Sequence, residues 1–250
     1  MSGSEIGAAP PAERRAWLRE RRRVDEQQED ALAGDYDTQW GEIEPTHQVF
    51  VERFLSRLPP AGRVLDAACG TGKYFPMVLA SGRWLLGVDH AGAALAIAAA
   101  KFPQVPTERH DLQELPYQGE FDGVLCVDAM EFVPPEEWPP VLERFRRALR
   151  PGGWLYLTVE LASGDRVRAA NQAARRAGLP VVDGEVIWDE PDGYYHHYPS
   201  MPQVRSWLAD AGFTVEEETE GPWHEEGYAY HHLLARTVAR PLIADRGGKQ

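Results

Sequence analysis

The sequence predicts an α/β fold in which helices cover both faces of a mostly parallel sheet. Three observations support this fold. Short apolar runs alternate with segments of helical periodicity, a glycine-rich turn follows the first of these runs, and 43% of the 250 residues are hydrophobic. The repeated order of strand, helix and strand implies right-handed crossovers and therefore a parallel sheet.

The N-terminal part of the chain is predicted to contain helices and no strand. Residues 1–11 are small, polar and proline-containing, and we expect them to be disordered. Residues 12–60 predict N-terminal helices that form a flap. The charged run 13–23 contains both signs of charge, which favours a solvated helix over a nucleic-acid-binding arm. A second helix, with apolar residues at helical spacing, ends before Pro59.

Residues 61–160 are predicted to form the core of the sheet. Five apolar runs have the length and composition of strands: 63–67, 84–88, 105–110, 121–127 and 154–160. Three segments between them have helical periodicity: 74–80, 91–102 and 141–149. The last helix is followed by Pro151, Gly152 and Gly153, which is a typical signal for the end of a helix.

Residues 161–199 interrupt this alternation. A helix is predicted over 166–177, and 189–198 is rich in turn-forming and aromatic residues, so we expect a lid over the functional edge of the sheet. The alternation resumes in the segment 200–240. It predicts a helix over 202–211 and strands near 213–219 and 227–237, followed by a tail, 241–250.

Composition restricts the partners and the compartment. The net charge of −13 disfavours nucleic acid and anionic membranes, and favours a neutral or cationic small molecule. Cys69 and Cys126 lie in apolar stretches, which predicts free thiols in a reducing cytoplasm. No signal peptide is visible, and no stretch approaches the roughly 18 apolar residues that span a membrane. We expect a monomer or a homodimer.

The strongest chemical signal is the glycine-rich turn over 66–72. Gly70 and Gly72 allow the backbone to turn tightly and a ligand to approach it closely. A Walker A loop is excluded because residue 67 is Ala and Tyr74 replaces the Ser or Thr that binds magnesium. The third glycine of the dinucleotide fingerprint is also missing, which leaves an NAD-type oxidoreductase as the less favoured alternative.

Acidic residues follow the next two predicted strands. Asp89 is placed to accept hydrogen bonds from both hydroxyls of a ribose, although an Asp there can instead cap the following helix. Asp111 can accept a hydrogen bond from an adenine amino group or form an Asx turn. The fourth strand ends at Val127, at the carboxyl edge where open α/β sheets bind ligands.

Taken in this order across residues 36–237, the motifs resemble those of class I S-adenosylmethionine-dependent methyltransferases. The resemblance implies a Rossmann-like, seven-stranded sheet with an antiparallel last strand, an N-terminal helical flap and a lid insertion. It implies S-adenosylmethionine as the methyl donor and S-adenosylhomocysteine as the product. The cofactor contacts that it implies are Tyr36, Trp40, Asp66, Ala67, Gly70, Gly72, Asp89, His90, Asp111, Leu112 and Val127.

A catalytic base is needed only if the acceptor must lose a proton. Many members of this family carry a His shortly after the fourth strand, where this chain has Phe132. His196 and His197 are the predicted bases because imidazole titrates near neutrality, although both could instead be structural parts of the lid. Glu131 and Glu160 could each orient an acceptor amine or hydroxyl, or be a helix cap or a surface acid. No His or Cys spacing predicts a metal site.

The aromatic lid predicts a flat or partly apolar acceptor. The predicted acceptor contacts are Glu160, Trp188, Tyr194, Tyr195 and Tyr198. The sequence therefore predicts a methyltransferase that acts on a hydroxyl or amine of a small molecule such as a natural-product intermediate. The alternative of a different class is a regulatory protein that binds S-adenosylmethionine without catalysis.

Overall fold

The computed structural model describes residues 11–188, 193–222 and 228–238. Its helices are α1 (Ala12–Trp40), α2 (Pro45–Arg57), α3 (Phe75–Ala80), α4 (Gly92–Lys101), α5 (Trp138–Ala148), α6 (Gly164–Arg176) and α7 (Met201–Asp210). Its strands are β1 (Arg63–Ala67), β2 (Trp84–Asp89), β3 (Thr107–Arg109), β4 (Phe121–Cys126), β5 (Leu149–Ala162), β6 (Glu185–Ile187), β7 (Tyr195–His197), β8 (Phe213–Pro222) and β9 (Tyr228–Thr237). Apart from Pro11, the predicted disordered segment and the predicted tail lie outside the described residues.

Seven of these strands form one sheet in the order β3-β2-β1-β4-β5-β9-β8. Strands β1 to β5 run parallel to one another, whereas β9 is antiparallel to both β5 and β8. This confirms the predicted Rossmann-like sheet with an antiparallel last strand. The order reverses between β1 and β4, so the carboxyl ends of these two strands flank the crevice where such sheets bind ligands.

The core lies on both faces of the sheet because successive strand residues point to opposite sides. Val64 of β1 belongs to a cluster with Phe54 of α2. The next residue, Leu65, belongs to a cluster on the other face with Phe145 of α5 and Leu208 of α7. Both faces are therefore covered, as a parallel sheet requires.

Helix α1 lies across the carboxyl edge of the sheet and is 29 residues long. Ala33 packs against Ala91 and Ala94 at the start of α4, where three small side chains allow the two helices to approach closely. Near its other end, Leu18 packs against Ile187 and Tyr195. Helix α1 therefore connects the sheet to the segment that follows β5.

That segment corresponds to the predicted lid and consists of α6 and a small antiparallel sheet of β6 and β7. Residues 189–192, between these two strands, lie outside the described ranges. A buried ion network holds this small sheet to α1. Nη1 and Nη2 of Arg14 donate hydrogen bonds of 2.9 and 2.7 Å to the two carboxylate oxygens of Glu185, and the same guanidinium pairs with Glu136. The Tyr195 hydroxyl donates a third hydrogen bond to Glu185.

Within residues 11–188, 193–222 and 228–238, no helix is both long and apolar enough to cross a bilayer.

Candidate active site

A cavity of about 550 Å³ opens at the carboxyl edge of the sheet, beneath α1. On the side of β2 and β3, called here the turn side, it is lined by Ala68, Gly70, Asp89, His90, Asp111 and Leu112. On the side of β5 and β7, called here the lid side, it is lined by Glu131, Phe132, Glu160, Tyr194, His196 and Tyr230. Val127 and Asp128, after β4, lie between the two sides.

The glycine-rich turn presents bare backbone to the cavity. Gly70 has φ +52°, and a Cβ atom built on it would meet no protein atom within 4 Å. The space beside Gly70 is therefore open to a ligand. Ala68, in the same turn, has φ +66°, a left-handed conformation that costs a non-glycine residue roughly 1–2 kcal/mol. Backbone strain of this kind is concentrated at functional sites.

Gly72 has a different role from Gly70. A Cβ atom on Gly72 would lie 2.9 Å from Cδ2 of the Phe75 ring, so the glycine allows close packing of the turn against α3. Asp66, Ala67 and Gly72 are absent from the cavity lining, although the sequence analysis placed all three against the cofactor. Burial, together with the charge of Asp89, raises the pKa of Asp66 to about 8.

Asp89 holds the turn in place and lines the cavity. Its Oδ2 accepts a 2.8 Å hydrogen bond from the backbone N–H of Gly70, and its Oδ1 accepts one of the same length from Ala91. A carboxylate has about four acceptor positions, so both oxygens can still accept from a ligand hydroxyl. The side chain therefore fixes the backbone just before α4 but does not cap that helix, whose N-cap is Ala91 without a side-chain cap. The remaining acceptor positions of Asp89 are open to a ribose.

Asp111 forms the Asx turn considered for it, and its adenine contact stays a prediction. Its Oδ1 accepts from the backbone N–H of Gln113 at 3.2 Å, which is an Asx turn, and its Oδ2 lies 3.4 Å from Nε of Arg22 in α1. The carboxylate still lines the cavity. An ion pair therefore links the turn side to the helix above it.

One face of α1 forms the roof of the cavity. Apart from the adjacent pair Leu32 and Ala33, its lining residues are spaced by three or four positions: Arg22, Asp25, Glu29, Leu32, Ala33, Tyr36 and Trp40. The rings of Tyr36 and Trp40 lie 5.5 Å apart. Beside them, Asp37 accepts hydrogen bonds of 2.6 Å from Thr71 and from Lys101, which tie the end of the roof to the turn and to α4. Of this face, only the two aromatic residues were predicted from the sequence.

Asp128 is a lining residue that the sequence analysis did not assign to the site. It follows β4 with φ +54°, and its Oδ1 lies 3.1 Å from Nε2 of His47. Burial would raise the pKa of this carboxyl, but His47 and Lys73 outweigh that effect and hold it below its usual value. Asp128 is therefore an ionised group in the cavity wall.

Two glutamates face the lid side of the cavity. Glu131 is 4% exposed, and its Oε2 has no hydrogen-bond partner among the described residues. Burial, with further contributions from Glu160 and Asp128, raises the pKa of Glu131 well above its usual value. Oε1 of Glu160 accepts a 3.4 Å hydrogen bond from the Tyr198 hydroxyl, and its Oε2 lies 3.9 Å from Nε2 of His196.

The two predicted lid bases lie on opposite faces of β7, because side chains alternate along a strand. His196 lines the cavity with its ring 4.9 Å from that of Phe132. His197 does not line it, and its ring lies 6.4 Å from Trp138 and 6.3 Å from Trp207 in the core. The near-neutral pKa expected for these imidazoles is not found, since burial lowers it to about 4 in both.

The same alternation separates the predicted acceptor contacts. Tyr194 and Glu160 line the cavity, whereas Tyr195 points to the opposite face and binds Glu185. Trp188 and Tyr198 do not line the cavity and are linked to it through Glu160. Nε1 of Trp188 donates to the Tyr198 hydroxyl at 3.1 Å, and Tyr198 in turn supports Glu160.

Comparison with known proteins identifies the family. Residues 64–153, which contain the turn, Asp89 and Asp111, match the family model described as a methyltransferase domain. Residues 64–153 therefore form a methyltransferase domain, and the resemblance to class I S-adenosylmethionine-dependent methyltransferases is confirmed. The methyl donor is therefore S-adenosylmethionine, and the open space at Gly70 beside the available oxygens of Asp89 fits the adenosine part of that molecule. The oxidoreductase alternative is not supported by this match.

Three similar proteins place this methyltransferase among its relatives. It is 24% identical to the ubiquinone biosynthesis O-methyltransferase of Acinetobacter baumannii, over 86% of this chain and 89% of that one. It is 29% identical to a dTDP-4-amino-2,3,4,6-tetradeoxy-D-glucose N,N-dimethyltransferase of Saccharopolyspora spinosa, over 49% and 47% of the two chains. The crystal structure of the 1,6-didemethyltoxoflavin-N1-methyltransferase of Burkholderia thailandensis has the same fold, with a TM-score of 0.69 and 19% identity over 93% and 94% of the chains.

Proposed function

We propose that this methyltransferase transfers its methyl group to a hydroxyl or amine of a small molecule, such as a natural-product intermediate, bound on the lid side of the cavity. The main support for this proposal is that one cavity runs under α1 from Gly70 to the polar and aromatic groups of the lid side. Its volume of about 550 Å³ is in the range of small-molecule sites. The net charge of −13 favours a neutral or cationic acceptor over nucleic acid.

Each part of the cavity has a defined task in this proposal. S-adenosylmethionine supplies, when bound, a methyl group on a positively charged sulfur. Asp89 and the backbone at Gly70 hold the adenosine portion on the turn side, with Asp111 near the adenine. Tyr36 and Trp40 cover the centre of the cavity and exclude water. Most of the rate can then come from holding the acceptor in line with the reacting bond.

The relatives support both types of acceptor atom. One similar protein is named an O-methyltransferase and another an N,N-dimethyltransferase, and the structural neighbour is named an N1-methyltransferase. Each identity is below 30%, so these names support a small-molecule acceptor without selecting its reacting atom.

The proposal is tested by incubating the purified protein with S-adenosylmethionine and a mixed panel of small amines, phenols and alcohols. We expect release of S-adenosylhomocysteine and at least one acceptor that gains a methyl group, both detected by mass spectrometry. The control is Gly70→Val, whose side chain would enter the space beside the turn and whose protein should form no product. Binding of S-adenosylmethionine without any methylated product would instead support the regulatory alternative.

The pH dependence distinguishes an imidazole base from a hydrogen-bonding imidazole. Because burial lowers the pKa of His196 to about 4, this side chain is neutral at every pH well above that value. We therefore expect no change in kcat from imidazole titration near pH 6.5, its usual pKa. His196→Asn should lower kcat by less than the roughly 100-fold that loss of a general base causes. His197→Asn, which changes a core residue outside the cavity, is the matched control. A kinetic pKa of about 6.5 that disappears only in His196→Asn would restore His196 as the base.

A further inference from the structure

We infer that the acceptor is an alkylamine, received as an ammonium ion by Glu131 and Glu160, and that Glu131 takes its proton. This inference rests on the proposed function and specifies the reacting atom, which that proposal leaves open between oxygen and nitrogen.

The first support is an unused hydrogen-bond acceptor. Glu131 is 4% exposed and lines the cavity, yet its Oε2 has no partner in the part of the chain that the structure describes. Buried polar atoms are nearly always hydrogen-bonded, and an unsatisfied one costs about 1–3 kcal/mol. A ligand with an N–H donor on the lid side would satisfy this oxygen.

The second support is the sign of the charge around Glu131. Among the described residues, eight titratable groups lie around it: Glu29 and Tyr36 of α1, Cys126 of β4, Asp128 after β4, Glu160 of β5, His196 of β7, Tyr198 after β7 and Tyr230 of β9. The four acids of this region, counting Glu131, can all carry negative charge, whereas the neutral His196 adds no positive charge. An alkylammonium ion is favoured in such surroundings, and a phenolate or carboxylate is repelled.

The cations that line the cavity do not neutralise the negative charge around Glu131. Arg22 is paired with Asp111, on the turn side, and with Glu137. Nζ of Lys73 lies 4.0 Å from Oδ2 of Asp128. Each of these lining cations therefore faces an acid of its own, and the lid side keeps its negative character.

The third support is a chemical need that the cavity can meet. An ammonium nitrogen has no free electron pair, so it must lose a proton before it can accept a methyl group. In the step assigned to Glu131, the N–H bond breaks, an O–H bond forms on its carboxylate, and the electron pair stays on nitrogen. Burial raises the pKa of Glu131, which makes its carboxylate a stronger proton acceptor than an exposed one, whereas His196 has a pKa of only about 4.

The experiment uses matched acceptors: tyramine, which offers an amine and a phenol on one skeleton, and tyrosol, which has an alcohol in place of the amine. Both are added, with phenethylamine and 2-phenylethanol, to the panel of amines, phenols and alcohols, and fragment masses locate each added methyl group. We expect methylation on nitrogen only. Products methylated on oxygen would overturn this inference while leaving the proposed function intact. Failure to form any product, despite cofactor binding, would remove the proposed function and this inference with it.

Variants then test the assigned residue on the best amine in the panel. Glu131→Gln keeps the shape of the side chain but cannot take a proton, so kcat/KM should fall by about 10²–10⁴-fold, with unchanged affinity for S-adenosylhomocysteine. In the wild type, the rate should rise with pH through an apparent pKa above that of an ordinary carboxyl, and this rise should vanish in Glu131→Gln. Glu131→Asp should recover part of the rate, and Glu216→Gln, on the exposed side of β8, should behave as wild type. Glu131→Gln with wild-type turnover and pH profile would overturn the assignment.

Discussion

Replacing Asp89 with alanine should weaken binding of S-adenosylmethionine by roughly 1.5–3 kcal/mol, or about ten- to a hundred-fold in Kd. Two losses combine in this variant. The carboxylate oxygens expected to receive the ribose hydroxyls disappear, and the backbone N–H groups of Gly70 and Ala91 lose their acceptor at 2.8 Å. The turn then loses its support together with one of its ligand contacts, so the effect should lie toward the upper end of the range. Isothermal titration calorimetry with S-adenosylmethionine, in the absence of an acceptor, measures it directly.

The opposite edge of the sheet provides a matched control for Asp89. Asp122 also accepts a 2.8 Å hydrogen bond from a backbone N–H, that of Arg63, but lies near the start of β4 and away from the cavity. Asp122→Ala should therefore affect stability and leave Kd unchanged. Asp89→Asn, which keeps one oxygen acceptor, should fall between wild type and Asp89→Ala. An unchanged Kd in Asp89→Ala would remove this residue from the cofactor site.

The sheet could be predicted because its signals are local. Apolar runs separated by helical periods identify the strands, and the glycine-rich turn fixes where β1 ends. The largest error in the core was the start of β5, predicted at residue 154 and observed at Leu149. Pro151 and the two glycines after it are typical of a loop, yet Leu149 pairs with Phe121 across an irregularity in the register. Here the pairing with β4 outweighs the local turn signal.

The site was harder to predict because it depends on long-range contacts. The cavity-lining face of α1 has clear helical spacing, but nothing local shows that this face is turned toward the sheet. Likewise, the adjacent His196 and His197 could be separated only after β7 was known to be a strand, which places them on opposite faces. Asp128 could not be assigned to the site from the sequence because His47, which helps to keep its carboxylate ionised, is 81 positions away in the chain.

The second large effect is expected at Arg14, which holds α1 to the lid. Arg14→Met should lower the free energy of unfolding by about 3–5 kcal/mol, the cost of leaving a buried charge without its partner. Glu185 is 0% exposed, and without Arg14 it would keep only the hydroxyl of Tyr195 and the backbone N–H of Val182 as described donors. Chemical denaturation measures this loss. Hydrogen exchange should in addition show α1 opening more often than the sheet, because Arg14 joins α1 to the lid and not to the core strands.

Two further variants show whether the unpaired carboxylate causes that loss. Arg23→Met removes an exposed ion pair with Glu20 from the same helix and should leave stability unchanged. The double variant Arg14→Met/Glu185→Gln has neither charge, so it should be more stable than Arg14→Met alone, although Glu136 also loses its partner. If the two substitutions instead lowered the free energy of unfolding additively, the two side chains would not be coupled. The roof of the cavity would then be held by apolar contacts such as that of Leu18 with Ile187, and not by the ion network.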